Sequence, residues 1–464
     1  MEDKMNNSKV SIEKQAILND QMYSIKRYFK KFNIGSMLNK SGIKKTKGVS
    51  PLTISMSIFA LPFIGLNFFR GLVTGQRESF RKDAAYDLLK CPNYNWRKLL
   101  LLIGVKLVCF FSLFSSAKRI KVLIFDDSTY ERARSKSVEL LAKVYDHADH
   151  KFIRGFRMLT ACWSDGGSTV PLDFALLSSA KKEKRYQGIT KKLDKRTCGY
   201  KRRQEALTKA TDLVVSMTRR IFSYRIKFDY ILMDSWFCWP KIISALHQYA
   251  PVICMTKKTP KMLYDYRGHK RTLNQIYRMV KKRPGKAKIL ANVIVKLSTG
   301  TSVKLVFVRD RHKKDWLALL SSDIDLSDED IVQLYGRRWD IEVFFKMAKQ
   351  HLKLVKEIQA RDYDSLIAHT TIVFMRYQFL AYEQRIRTDN RTFGDLFYAC
   401  SEEIKDVTFL EALYRILSLA VDRLRKVGEF SEAAYRTMID AVMGEAIRYF
   451  GLGQPDCQRT QAVI

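Results

Sequence analysis

The sequence predicts an α/β protein with a mixed β-sheet core, a β-rich insertion and helical regions at both ends. Apolar runs of strand length first appear at residue 121, where three such runs are followed by helix, strand, helix and strand. This order is typical of a mixed sheet that helices cover on both faces. Strand-like runs return between residues 258 and 321, and the chain then becomes helical again. The core is therefore expected in two parts, separated by the insertion.

The N-terminal region, residues 1–118, is predicted to be a separate helical module. Its apolar stretches are separated by basic turns and lack the alternation of strands. Residues 50–69 carry no charge and have about the length of ~20 residues that crosses a bilayer, so a membrane span is one interpretation. Two prolines, three serines and a threonine in that stretch favour a pair of buried core helices. Residues 99–114, interrupted by Lys106, predict another core helix.

The elements of the core follow in order. Its first part, residues 119–257, should contain strands at 121–125, 152–163, 169–177, 230–233 and 251–256, and helices at 202–222 and 239–249. The insertion, residues 258–321, has further strand-like runs at 289–297, 303–308 and 316–320. The second part, residues 322–385, opens with a helix that Ser327 should cap and that should continue to about Leu352. Residues 386–464 predict a helical C-terminal region.

The charge of the chain indicates an anionic partner. Lysine and arginine exceed the acidic residues to give a formal net charge of +36, spread along the sequence. Such a distribution suits a surface that follows a nucleic-acid backbone. In the basic run 181–209 we predict phosphate contacts for Lys181, Lys182, Arg202 and Arg203, with solvent-facing charge as the alternative. The eight cysteines include no C-x2-C pair, which favours reduced thiols in a cytoplasmic protein over a zinc ribbon.

One helix gathers residues suited to phosphate chemistry. At ~100° per residue, the side chains of four residues share an arc of about 60°, with Lys346 beside them. The four are Tyr335, Arg338, Glu342 and Lys349. A carboxylate there would hold a metal ion, while arginine and lysine would hold a phosphate. The alternative is an ordinary surface ladder of ion pairs, since Arg338 and Glu342 are four residues apart.

Two further acidic positions support the first interpretation. Asp126 and Asp127 follow the first apolar strand, and Asp234 follows the fourth. Carboxylates at the ends of buried strands, together with Glu342, would suffice to hold two Mg²⁺ ions that act on a phosphodiester. Strand alternation allows only one of Asp126 and Asp127 to face the metals. The set Asp126 or Asp127, Asp234 and Glu342 is therefore the candidate catalytic and metal-binding group.

The helix matches without a gap the Y-x2-R-x3-E-x6-K signature of the insertion-sequence-four group of bacterial DDE transposases, which the chain resembles over about residues 120–380. The resemblance implies a ribonuclease-H-like core and cut-and-paste transposition through DNA hairpins. It also implies two Mg²⁺ or Mn²⁺ ions on Asp126 or Asp127, Asp234 and Glu342. Tyr335, Arg338 and Lys349 would then grip the terminal phosphate of the element end. The pattern D-x-[ST] fits both aspartates; we favour Asp126, with Asp127 as the variable middle residue.

The expected partners are double-stranded DNA with terminal inverted repeats and a target DNA, bound by a homodimer in the synaptic complex, without membrane association. The N-terminal module would recognise the element ends, and the protein would be cytoplasmic and associated with the nucleoid. Hairpin formation should need an unstacked base, for which Trp236, Trp239 and Trp316 are candidate stacking partners, although each is also typical of a core. The alternative function is a catalytically inactive, sequence-specific DNA-binding regulator.

Overall fold

The computed structural model describes residues 23–73, 80–116, 118–146, 149–285, 287–310, 315–386 and 432–449. Within these ranges eleven strands form one mixed sheet that helices flank. The strands are β1 Val122–Glu131, β2 Ala142–Asp146, β3 Lys151–Ser164, β4 Thr169–Leu177, β5 Tyr230–Met233, β6 Val252–Met255, β7 Leu263–Tyr266, β8 His269–Thr272, β9 Ile289–Lys296, β10 Ser302–Arg309 and β11 Trp316–Ser321. The predicted α/β class with a mixed sheet is confirmed.

The described α-helices lie before, between and after these strands. They are α1 Tyr23–Lys31, α2 Ile34–Lys40, α3 Pro51–Ala60, α4 Lys82–Leu89, α5 Trp96–Leu113, α6 Cys198–Glu205, α7 Ala210–Ser223, α8 Pro240–His247, α9 Leu273–Met279, α10 Asp328–Gly336, α11 Trp339–Gln350, α12 Tyr363–Ile386 and α13 Glu432–Tyr449. In the C-terminal region expected to be helical, α13 is described. The rest of that region lies outside the described residues, as do residues 1–22.

The described N-terminal helices share one hydrophobic core with the sheet, which differs from the separate module that the sequence suggested. Helix α5 packs against β4 and α12. The ring of Phe379 on α12 contacts Tyr28 and Phe59, with centroids 5.4 and 5.8 Å apart. The uncharged stretch at 50–69 forms α3 and a buried 3₁₀ turn, Leu61–Ile64, as expected for core helices. Among the described helices, none combines the length and apolar character that crossing a membrane requires.

The centre of the sheet has the order β4–β3–β1–β5–β6. The first three strands are antiparallel neighbours, whereas β5 runs parallel to both β1 and β6. Val122 to Phe125 and Ile231 to Met233 are fully buried, which explains why these strands appear in the sequence as continuous apolar runs. Strands β1 and β5 pair in parallel as far as Phe125 and Met233, so the residues that follow these two positions are neighbours.

The insertion extends this sheet rather than forming a second one. Strand β11 pairs antiparallel with β6, and the order continues β11–β10–β9–β7–β8. The three strands predicted here are present as β9, β10 and β11. The short β7–β8 hairpin was not predicted, because its second strand, His-Lys-Arg-Thr, has no apolar residue. Its turn has both central residues at positive φ, Arg267 at 53° and Gly268 at 77°, as a two-residue hairpin turn requires.

Helix α12 is buried along nearly all of its 24 residues and carries charged groups into the core. The guanidinium of Arg376 donates to the carboxylate of Glu357 at 2.7 and 3.0 Å and to the carbonyl of Phe59 at 3.0 Å. The imidazole of His369 lies 2.6 Å from the same carboxylate. Burial alone would raise the pKa of Glu357, but Arg376 and His369 hold it below its ordinary value. This cluster joins α12 to the end of α3 and so fixes the N-terminal helices to the core.

Candidate active site

Two of the predicted acids lie side by side where the pairing of β1 with β5 ends, although Asp126 is inside β1, which continues to Glu131 instead of ending at the predicted residue 125. Phe125 of β1 is opposite Met233 of β5 in the parallel register, and Asp126 and Asp234 are the residues that follow them. Neighbouring strands are about 4.8 Å apart, so the two aspartates are adjacent. Helix α11 packs on β1. Strand order and register thus bring together two acids that are 108 positions apart in the sequence.

Asp126, not Asp127, faces the signature helix. Its carboxylate accepts a hydrogen bond from the guanidinium of Arg338 at 2.9 Å, and the same guanidinium pairs with Glu342 at 2.5 Å. Asp127 belongs to the other face of β1 by strand alternation, and its carboxylate is paired with Arg157 at 2.7 Å. The geometry therefore favours Asp126 as the third member of the group with Asp234 and Glu342.

The surroundings of the Asp126 carboxylate disfavour its ionised form. Burial raises its pKa to about 7, the neighbouring carboxylates of Asp127 and Asp234 add to the rise, and Arg338 opposes it. An ionised Asp126 beside Asp234 needs a positive charge close by. Arg338 supplies that charge in the described arrangement.

The signature segment is two helices rather than one. The Ser327 hydroxyl caps α10 as predicted, by accepting from the backbone N–H of Asp330 at 3.0 Å. The helix then ends at Gly336, and α11 begins at Trp339. At the junction, the backbone N–H of Arg338 donates to the carbonyl of Tyr335 at 3.0 Å, an i to i−3 bond that tightens the turn. The predicted continuous helix from Ser327 to about Leu352 is therefore interrupted at residues 337 and 338.

Side-chain contacts on both sides of the junction fix its orientation. The guanidinium of Arg337 donates to the carbonyl of Ile120, just before β1, at 2.7 Å. The hydroxyl of Ser164, at the end of β3, donates to Asp340 at 2.6 Å. These bonds anchor the start of α11 to the sheet, which leaves Arg338 between Asp126 and Glu342.

The other signature residues differ in their surroundings. The guanidinium carbon of Arg338 is 5.8 Å from the ring centre of Tyr335, and burial raises the pKa of the Tyr335 phenol. The ammonium of Lys349 donates to the hydroxyl of Ser128 at 2.7 Å, and burial lowers the pKa of Lys349. Lys346 is exposed. The signature segment therefore adds to the acids a phenol that stays protonated, and the cations of Arg338, Lys346 and Lys349.

The basic run 181–209, in which DNA contacts were predicted, contains both exposed and buried cations. Lys181 and Lys182 are exposed, as a phosphate contact requires. Arg202 and Arg203, by contrast, are buried: Arg202 pairs with Asp364 at 2.6 Å, and Arg203 pairs with Glu139 at 2.7 Å. The expectation of DNA contact is corrected for these two arginines, because their guanidinium groups brace α6 against α12.

The three candidate tryptophans have different surroundings. Trp236, two residues after Asp234, is 40% exposed, with the cations of Arg157 and Lys257 at 5.3 and 4.2 Å from its ring centre. Trp239 is 37% exposed, and its indole N–H donates to the carbonyl of Trp236 at 3.1 Å. Trp316 is stacked on another ring of the insertion at 4.2 Å. The structure thus favours a packing role for Trp316 and leaves Trp236 accessible beside the acids.

The chemistry of the site suits divalent cations, which prefer carboxylate oxygen ligands. Asp126 and Asp234 are adjacent, and Glu342 shares the guanidinium of Arg338 with Asp126. In the ranges that the structure describes, no three His, Cys, Asp or Glu side chains form a ready-made metal cluster. The guanidinium of Arg338 stands between two of the acids, so metal binding to all three requires it to move.

In a comparison with protein-family models, residues 118–379 match the transposase DDE domain. This match covers more than half of the 464-residue chain. The chain therefore belongs to the DDE transposase family, whose members act on DNA and generally use divalent metal ions. No curated protein matches the chain. The matched segment contains Asp126, Asp234, Glu342 and the whole signature, and its mixed sheet has the ribonuclease-H-like fold of the family.

Proposed function

We propose that the chain is a cut-and-paste transposase of the insertion-sequence-four type, which cleaves and joins the inverted-repeat ends of its own element through DNA hairpins. The observation that carries the proposal is that Asp126 and Asp234 are adjacent and that Arg338 joins Asp126 to Glu342. Two Mg²⁺ or Mn²⁺ ions and a homodimer in the synaptic complex belong to the same proposal, as do recognition of the ends by the N-terminal region and association with the nucleoid.

Each signature side chain has a role in this proposal. Asp126, Asp234 and Glu342 would hold the metals, which when bound would activate a water or 3′-hydroxyl and neutralise charge on the phosphodiester. Arg338 would turn from the carboxylates to a DNA phosphate and grip it with two N–H groups. Lys349 would add a point charge. The Tyr335 phenol would donate a hydrogen bond, because its raised pKa keeps it protonated at neutral pH.

The hairpin step is supported by the surroundings of Trp236. A cavity of about 1370 Å³ lies beside this ring, with Lys181, Lys184 and Lys241 among its lining residues. Aromatic faces in basic grooves bind unpaired bases by stacking, and the backbone by charge. Trp236 would receive the base that a tight hairpin displaces. Replacing it by alanine should slow hairpin formation more than the first nick, whereas Trp316→Ala should instead lower the stability of the insertion.

The test uses the two neighbouring aspartates as a matched pair. With labelled end DNA and Mg²⁺, Asp126→Asn and Glu342→Gln should lose cleavage by at least a hundredfold. Asp127→Asn should keep most of its activity, because its carboxylate is paired with Arg157. Binding of the same DNA without metal serves as the control for folding. Cleavage by Glu342→Gln at the wild-type rate would refute the assignment.

A DNA-binding regulator without catalytic activity is the second candidate. The observation in its favour is that Arg338 occupies the space between Asp126 and Glu342, as a permanent substitute for a metal would. In that case the protein should bind end DNA but leave it intact with Mg²⁺ or Mn²⁺ at any concentration. Metal-dependent nicking that Glu342→Gln abolishes would exclude this function.

A further inference from the structure

A second basic cavity begins where the candidate active site ends. It has a volume of about 1130 Å³ and lies between the segment 131–138, which begins at the last residue of β1, and the segment 354–361, which lies between α11 and α12. Lys349 is one of its lining residues, and its ammonium donates to the hydroxyl of Ser128, two residues beyond Asp126 on β1. Two residues of strand span about 6–7 Å, so Lys349 connects the cavity to the neighbourhood of Asp126.

The charge of this cavity is strongly positive. Six of the described residues that line it are basic, and Glu131 is the one acid among them. The basic residues are Arg132, Arg134, Lys136, Lys349, Lys356 and Arg361. A concave surface with this excess of cations attracts and holds an anion.

Arg132 supplies the recognition geometry. Its residue is 8% exposed, and its Nη1 donates to the carbonyls of Val355 at 3.2 Å and Ile358 at 2.8 Å. Its Nε and Nη2 are buried and have no hydrogen-bond partner among the described residues. These two N–H groups form one edge of the guanidinium, the edge that matches two oxygens of a phosphate. Unbonded buried donors cost free energy, so a site with such an edge is prepared for an acceptor.

The backbone around Arg132 is shaped to hold it. Val355, whose carbonyl accepts from Arg132, has a φ of +73°, and Lys353 has a φ of +61°. Left-handed backbone is uncommon for a β-branched residue, and it persists only where the surroundings enforce it. The loop thus keeps its carbonyls on Nη1 and leaves the other edge of the guanidinium unbonded.

We propose that this cavity is a second phosphate site, in which Arg132 grips a backbone phosphate of the DNA strand that passes through the carboxylates. The site rests on the proposed function, because it extends the path of that DNA strand. Lys349 lies between the two places and would contact the linkage that joins them. Lys356 and Arg134, both exposed at the rim, would add longer-range attraction.

The test measures binding to end DNA in EDTA, so that its outcome does not depend on cleavage. Arg132→Lys keeps the charge but loses the two-pronged grip, and should weaken binding about tenfold, as the loss of a charge-assisted bond predicts. Lys356→Ala and Arg134→Ala remove exposed charges without an anchoring role. Each should make the negative slope of log affinity against log salt concentration shallower by up to ~0.9. Lys288→Ala, which removes an exposed lysine that does not line the cavity, is the control.

A neutral methylphosphonate placed at successive linkages beside the cleavage site would locate the contact. At one linkage the methylphosphonate should weaken binding by the wild-type protein. At that linkage it should not weaken binding by Arg132→Lys any further, because this variant already lacks the contact. Additive losses at every linkage would overturn the proposal, as would wild-type affinity and salt slope in folded Arg132→Lys, Lys356→Ala and Arg134→Ala. Cleavage that fails while these binding results hold would refute the proposed function and leave the phosphate site standing.

Discussion

Replacing Arg338 by alanine should make the DNA-free protein bind Mn²⁺ more tightly. The guanidinium of Arg338 bonds to Asp126 at 2.9 Å and to Glu342, two of the three proposed metal ligands. A metal that takes both carboxylates must first break these bonds. Bonds of this charged kind are worth ~1.5–3 kcal/mol each when well buried. The alanine variant makes neither bond, so its carboxylates are available to the metal without that cost.

The exposure of the three side chains reduces the expected effect. The Arg338, Asp126 and Glu342 side chains are 18%, 14% and 32% exposed, so solvent screens both pairs. We therefore take about 1 kcal/mol for each bond. The sum of about 2 kcal/mol corresponds to roughly 30-fold tighter binding. A proton competes with the metal for Asp126, whose pKa is raised to about 7 by burial and would rise further without Arg338. The measurement therefore belongs at about pH 8 or above.

The assay is a titration of Mn²⁺ followed by electron paramagnetic resonance, which reports the free ion. Lys346→Ala is the matched control, since it removes one positive charge from the same helix at an exposed position. If Arg338→Ala binds Mn²⁺ no more tightly than Lys346→Ala, Arg338 does not compete with the metal. The same variant should lose DNA cleavage, because the proposed phosphate grip goes with it.

Three further predictions concern the buried charges. Glu357→Gln leaves Arg376 buried without its anion and should lower the free energy of unfolding by about 3–5 kcal/mol in urea titrations; a change below 1 kcal/mol would contradict this. Burial lowers the pKa of His369 below its ordinary value of 6.5, so the folded state resists its protonation; stability should be full above about pH 6.5 and fall as the pH drops below it, and His369→Gln should remove that part of the dependence. Arg203→Met should change the free energy of unfolding but leave the DNA affinity of the folded protein unchanged, because Arg203 is paired with Glu139. A weaker DNA affinity would show that Arg203 does contact DNA.

The strands that could be predicted are those whose signal is local. The strands at 230–233 and 251–256 appear within a residue or two of their predicted positions, since all but one residue of each is buried and apolar. Strands β2, β7 and β8 were missed because they are short and mixed in polarity. Strand β2 exists through its pairing with β3, as Val144 opposite Ile153 illustrates, and that contact has no trace in the local sequence.

The site was predictable in composition but not in arrangement. Periodicity placed Arg338 and Glu342 on one face, and apolar runs predicted Asp126 and Asp234 at strand ends. Asp234 does follow β5, whereas Asp126 is inside β1, which continues to Glu131. The break at residues 337 and 338 depends on tertiary bonds, such as that from Arg337 to the carbonyl of Ile120, which periodicity cannot register. The choice between Asp126 and Asp127 likewise depends on which face of β1 meets α11, and only the fold decides it.

The arginines show why a net charge of +36 does not by itself map a DNA surface. Arg203 is buried and paired with Glu139, 64 positions away, so its charge is neutralised inside the fold. Arg338 is partly buried and shared between carboxylates that a metal would claim. Arg132 is as buried as a core residue, yet keeps two N–H groups unbonded within the described structure. A buried guanidinium that keeps both N–H groups of one edge unbonded, rather than charge alone, therefore distinguishes Arg132 from an arginine that holds the fold.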